Sequence, residues 1–132
     1  MSTGASLRSD RVRLVILVAP KPGLSPDECR SYWLNTHSKV FSSIAIVKRN
    51  LLKYEQFHFD SRYTAPMTAM IPGYMPPPFF GMAIFEAETI EKIYEVFQDE
   101  EYRRVVVPDE ENFMSRKDVQ MLGGPLVTVY GA

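Results

Sequence analysis

The stretch that most restricts the fold is "VRLVILVAPKPGLSPDECRSYW", Val12 to Trp33. Its first part, Val12 to Ala19, is a continuous run rich in β-branched residues and closed by "PKPG", the pattern of a buried central strand. Its second part carries a complete helix-start signal. Ser25 is a good N-cap, Pro26 suits the first helical position, and Glu28 stands three residues after Ser25 to close a capping box. A strand that turns directly into a capped helix commits the chain to packing that helix on the sheet.

Beyond the cap, Cys29, Trp33, His37, Val40 and Ile44 recur at steps of three and four, so they share one helix face, widened by Tyr32 and Phe41. The helix is expected to continue or restart through "IAIVKRN" and to stop at Asn50 in a left-handed C-cap. "LLKYEQFHF" then reads as a strand, with Leu52, Tyr54, Gln56 and His58 on one face and Lys53, Glu55, Phe57 and Phe59 on the other. Neither face is cleanly apolar, which suits a sheet whose second face lines a pocket or a partner subunit.

Residues 60–78 show no helical or strand period and contain Pro66, Pro72, Pro76, Pro77 and Pro78. A loop this long in a small domain is often a lid or a binding loop. Met67, Met70, Ile71, Tyr74 and Met75 make it apolar, so it is expected to lie on something. "FFGMAIFEA" is a third strand, and Thr89 caps a helix with an apolar stripe of Ile90, Ile93, Tyr94 and Phe97. "DEEYRRVVVPDEENFM" continues as helix broken at Pro108. The last strand is placed at "PLVTVYG", Pro125 to Gly131, with a short strand at "VQML" as an optional forerunner.

The order β-α-β-β-α-β is the ferredoxin-like split motif, an α+β fold with a four-stranded antiparallel sheet and helices on one face. The other sheet face, apolar and bare, would be a liability in a monomer. Two copies packing those faces together remove it, so a homodimer forming a dimeric α+β barrel is expected. A chain of 132 residues with 45% hydrophobic and 23% charged content supports one domain with a real core. Residues 1–10, small and polar with no apolar run behind their charges, read as a flexible tail and not as a signal peptide, and 11–132 as the single domain. No stretch approaches the roughly 18 apolar residues of a membrane span, so no membrane partner and a cytoplasmic location are expected.

Several function classes fall away on the same grounds. A net charge of -1 leaves no basic footprint for nucleic acid. The single cysteine, Cys29, excludes an internal disulfide framework and a cysteine-rich zinc site. HExxH, CxxC, GxGxxG and Walker motifs are absent, so no metal and no cofactor are expected. Ser38 beside His37 points to a different helix face and offers no Ser-His arrangement. What remains is histidine acid-base chemistry. His37 points toward the sheet one turn after Trp33, the position of a core-facing structural histidine as much as of a reagent. His58 shares its strand face with Tyr54 and Gln56, and three polar side chains on a dry face are costly unless they pair or meet a polar ligand.

The run "VRLVILVAPKPGLSPDECRSYWLNTHSKVF" resembles the opening of EthD-type domains, in which a strand and a "KPGLS"-like turn lead into a helix with Trp and then His. The continuation to "KYEQFH" is similar to a fungal branch, the small decarboxylases of aromatic polyketide acids such as atrochrysone carboxylic acid. "DEEYRRVVVPDEENFM" also fits the family's second helical region. The resemblance implies a cofactor-independent decarboxylase acting on a small aromatic polyketide substrate; His37 and His58 are then read as the acid-base pair, with the choice of proton donor between them open. Tyr54 and Gln56 would hold a substrate oxygen, Trp33, Tyr32 and Phe41 would form aromatic walls, and Tyr74, with Met70 and Met75, would close over the substrate. Glu55 is an alternative histidine partner whose strand face argues against contact with His58. Related barrels include anthrone oxygenases, cyclases and proteins without known activity, so a cofactor-free oxygenase, a cyclase or dehydratase, and a non-catalytic pocket protein stand as alternatives.

Overall fold

A computed structural model describes residues 4–131. Strand β1 (Val12–Val18) is followed by α1 (Pro26–Tyr32), a π-turn at Trp33–His37, α2 (Ser38–Ser43) and α3 (Ala45–Asn50). Next come β2 (Leu51–His58), α4 (Ser61–Thr68), β3 (Gly81–Ala87) and α5 (Ile90–Gln98). A second π-turn (Tyr102–Val106), α6 (Val107–Glu110), a 3-10 turn (Arg116–Asp118) and β4 (Gln120–Gly124) complete the chain. The four strands form one antiparallel sheet in the order β2-β3-β1-β4, the ferredoxin-like arrangement.

The capping box at α1 forms as expected. Ser25 accepts from the Glu28 amide and the Glu28 carboxylate accepts from the Ser25 amide, so two orphan donors of the helix start are satisfied. Thr89 caps α5 through the Lys92 amide. Along the first helical face Cys29, Trp33, His37, Phe41 and Ile44 are all buried. They meet Ala83, Phe85 and Ala87 of β3, together with Ile93 and Val96 of α5, in one core. Extended backbone at Ile44 ends α2, and Glu101 accepts from the Ala45 amide where the helix restarts.

Register sets which side chains reach that core. Tyr54 stands opposite Phe85, Gln56 opposite Ala83 and His58 opposite Gly81, all toward the helices. Lys53, Glu55 and Phe57 point to the opposite face, where Phe57 is 54% exposed. Val15, Leu17, Met82 and Ile84 lie on that same face, which explains why β1, although central, is only half-buried along most of its length.

Four local expectations are corrected. The last strand is Gln120–Gly124, not Pro125–Gly131. It pairs with β1 from Leu17↔Gln120 to Arg13↔Gly124, so the β-branched "PLVTVYG" runs on past the start of β1. Residues 60–78 contain a helix, α4, capped by Asp60 with Pro66 inside it. No residue of that helix is buried, so no amphipathic period marked it. Asn50 is not a left-handed cap, since no described non-glycine residue has a positive φ. It is a buried helical residue whose side chain donates to the Lys92 carbonyl and to Glu95, tying α3 to α5. Finally, a register irregularity between Leu51 and Lys53 turns Leu51 inward and leaves Leu52 exposed.

Candidate active site

Two π-turns build the site from the helical side. A π-turn widens the helix by one residue and often marks a functional position. The first spans Trp33–His37 and keeps both end residues buried. It leaves the Trp33 carbonyl accepting from the Ser38 amide and from the Gln56 side chain, at 3.0 Å. The second, Tyr102–Val106, leads into α6 and its acidic pair Asp109 and Glu110.

His37 meets Asp109 there. His37 Nδ1 lies 2.8 Å from Asp109 Oδ2, and the two side chains are 7% and 11% exposed. The other carboxylate oxygen, Oδ1, accepts from the Tyr32 hydroxyl at 2.5 Å. Asn112 donates to the Tyr32 oxygen at 2.9 Å. The His37 ring packs 4.7 Å from Phe113 and 6.3 Å from Phe41. Burial pushes its pKa below the ordinary 6.5, and the Asp109 carboxylate opposes that. Tyr32 is raised by burial and by Asp109, so it stays a phenol. His37 Nε2 makes no hydrogen bond among the described residues.

On the sheet side the partners of His58 form a chain of fixed polarity. The Trp33 carbonyl can only accept, so the nitrogen of the Gln56 amide faces it and the amide oxygen faces His58. His58 Nε2 therefore donates to Gln56 Oε1, at 2.9 Å, and its Nδ1 carries the free lone pair. The second Gln56 N–H donates to the Tyr54 hydroxyl at 2.9 Å, leaving that hydroxyl's own hydrogen free for an outside acceptor. Burial pushes Tyr54 up to about 12, eased by Gln56 and the Trp33 side chain. His58 is lowered by burial and by the charge of Arg30. Trp33 stacks at a tilt on His58, 4.8 Å away, and lies on the backbone of Gly81.

Phe41 stands between the two groups, 6.3 Å from His37 and 4.7 Å from Tyr54. The structure thus gathers His37 and Tyr32 around Asp109, gathers His58, Gln56, Tyr54 and Trp33 around the Gln56 amide, and joins them through Phe41. Tyr74 stands apart with Met70 and Met75 in the exposed segment after α4, and no side-chain bond ties it to either group. Glu55 points to the far face of the sheet, away from His58.

Asp109 was missed by sequence reasoning, although a signal existed. Tyr102, Val106, Asp109 and Phe113 recur at steps of four, three and four, so a carboxylate sits on an apolar stripe. Its neighbour Glu110 is also buried. It accepts from the Tyr102 hydroxyl at 2.7 Å, with Arg116 3.3 Å from its other oxygen, and burial raises it to about 6. Among the described residues no three His, Cys, Asp or Glu side chains converge as metal ligands, and no helix is long and apolar enough to cross a membrane. Two open surface depressions of about 480 and 520 Å³ border Tyr32 and Asn112 respectively; neither histidine lines them.

Comparison with known proteins agrees with this geometry at the level of family and fold. The model of the EthD domain matches residues 21–117. The chain is 30% identical over 115 residues to the decarboxylase claH of Passalora fulva, covering 84% of this chain and 73% of that protein. The fold is shared with an EthD family protein of Bacillus halodurans, at 16% identity and a TM-score of 0.58 over 86% of this chain and 96% of that one. It is shared too with a dimeric ferredoxin-like protein of unknown function from Bacteroides fragilis, at 8% identity and a TM-score of 0.60 over 92% of this chain and 100% of that one. With the family model spanning residues 21–117, most of the chain, the chain belongs to the EthD domain family.

Proposed function

We propose that the protein is a cofactor-independent decarboxylase of a hydroxylated aromatic polyketide acid, with His37 as the proton carrier. The observation that carries this reading is the His37 imidazole, bonded through Nδ1 to Asp109 at 2.8 Å among aromatic rings, with Nε2 hydrogen-bonded to none of the described residues. Similarity to a protein named a decarboxylase supports the reaction class.

The chemistry follows from these groups. His37 Nε2 takes the proton of a ring hydroxyl ortho to the substrate carboxylate. It returns that proton to the ring carbon that bears the carboxylate, giving a β-keto acid. The bond from that carbon to the carboxylate then breaks and CO₂ leaves. The electron pair flows into the keto oxygen, where the free hydrogen of Tyr54 can meet the developing charge. The resulting phenolate takes one proton from water. A histidine whose ordinary state here is neutral suits the first step, and Asp109 stabilises the imidazolium between the two transfers. Trp33, Phe41 and Phe113 exclude water and favour release of a neutral, less polar product.

The open sheet face is read as the contact with a second copy. It presents Val15, Leu17, Phe57, Met82 and Ile84, and beside them Glu86 is buried between Arg11 and Arg13 at 3.6 and 3.9 Å. The Nε atoms of both arginines make no hydrogen bond, and that of Arg11 lies 3.6 Å from Asp10 Oδ2.

The test is CO₂ release from a 2-hydroxy polycyclic aromatic acid by purified protein under nitrogen. Continued release supports decarboxylation. Product formation only in air transfers the same base to an oxygenase, in which the deprotonated ring reacts with O₂.

A further inference from the structure

We propose that Asp109 is the positioning residue of this site, holding His37 in a single tautomer and Tyr32 in a single orientation through the two oxygens of one carboxylate. Its consequence for rate rests on the reading of His37 as proton carrier; its geometry does not. An ionised carboxylate only accepts hydrogen bonds, so both neighbours must donate to it. His37 therefore carries its proton on Nδ1, and the basic lone pair stands on Nε2, the nitrogen without a protein partner. Tyr32 is constrained from both sides. Asn112 donates to its oxygen, and the Tyr32 hydrogen is directed to Asp109 Oδ1. Two donor arms converge on the carboxylate, one from Asn112 through Tyr32 to Oδ1 and one from His37 to Oδ2.

Three features separate this arrangement from a simple helix clamp. The carboxylate and the imidazole are both nearly closed to water, so water does not compete for either oxygen. The rings packed on His37 are Phe41 and Phe113, which offer no charge, so Asp109 is the ionisable group that acts on it, with Tyr32 on the far oxygen of that carboxylate. Asp109 also lies on α6, while Tyr32 and His37 lie at the two ends of one turn of the opposite helix. A single carboxylate therefore fixes the rotation of that helix against α6 and, with it, the aim of Nε2. The histidine alone cannot do this, since a neutral imidazole in an apolar pocket has two tautomers of similar energy.

The experiment is nitrogen-15 NMR of the histidines in the intact protein, followed by Asp109→Asn, Asp109→Glu and Tyr32→Phe. The unmodified protein is expected to show His37 protonated at Nδ1 and bare at Nε2; a proton on Nε2 instead overturns the proposal. In Asp109→Asn the single amide oxygen cannot serve both donors and the charge is gone. His37 is expected to lose its Nδ1–H preference and to titrate lower by about one unit or more, the scale of removing an opposite charge at this distance. Turnover is expected to fall roughly 10- to 100-fold with KM little changed. Asp109→Glu keeps the charge and is expected to recover part of the shift. Tyr32→Phe removes the other donor alone and is expected to leave His37 protonated at Nδ1, a result readable even if Asp109→Asn does not fold. An Asp109→Asn protein with the tautomer and pKa of the parent overturns the proposal. An Nδ1–H histidine in a protein that decarboxylates nothing supports it, so the two claims fail separately.

Discussion

Gly81→Ala probes the join between sheet and helix at the site. Gly81 pairs with His58 on β2 and with Val18 on β1. A Cβ added there would lie 2.5 Å from Trp33 Cζ3, 2.9 Å from Trp33 Cη2 and 2.8 Å from the Phe57 carbonyl oxygen. Carbon atoms pack best at about 3.5–4.0 Å, so the indole would have to retreat by about 1 Å. Trp33 is 2% exposed and held between Phe80 at 5.4 Å and His58 at 4.8 Å, and the Phe57 carbonyl belongs to a paired strand. Neither neighbour gives way cheaply. Overpacking of this kind costs about 1–3 kcal/mol, and the reduced chain entropy of alanine returns less than about 1 kcal/mol. The net expectation is a loss of about 2 kcal/mol, or a melting temperature lower by roughly 8 °C for a domain of this size. Trp33 is the sole tryptophan, so urea unfolding followed by its fluorescence reads both effects. The midpoint should fall and the native emission should shift to the red. A variant with the parent's midpoint and emission would refute the contact and the anchoring of Trp33 over His58.

Two further expectations concern charge and assembly. Glu110 titrates near 6 in the fold against 4.5 when unfolded, so its contribution is fully present below pH 4.5 and is lost as pH rises through 6. Glu110→Gln, which keeps an acceptor for Tyr102, should therefore gain about 2 kcal/mol on the parent between pH 4 and pH 8; a difference in denaturant stability that does not change with pH would contradict this. In light scattering at micromolar concentration the protein should have twice its chain mass, and Phe57→Lys on the open sheet face should shift it toward the monomer. A parent that is already monomeric contradicts the reading of that face.

Features written in local chemistry were legible in the sequence, and features made by distant contacts were not. Ser25, Pro26 and Glu28 announce α1, and Thr89 announces α5, because a cap is satisfied within three residues. The inward aim of His37 and the shared face of Tyr54, Gln56 and His58 follow from helix and strand periods. α4 escaped because an exposed helix needs no apolar stripe, and Pro66 reads as a breaker. β4 was misplaced because the free edge of β1, not the β-branched content of "PLVTVYG", decides which residues pair. Asp109 lies 72 positions from His37, and only the packing of α6 on the first helix brings them together. The tautomers of both histidines depend on such contacts: one on that carboxylate, the other on a carbonyl at a π-turn that no period foretells.

The most direct test of His37 as proton carrier is decarboxylation in D₂O under nitrogen, comparing the parent protein with His37→Gln. The parent is expected to release CO₂ and place one deuterium on the carbon that lost it, and His37→Gln to be slower by about 10²- to 10⁴-fold while still folded. A folded His37→Gln protein that decarboxylates at the parent's rate would contradict the assignment.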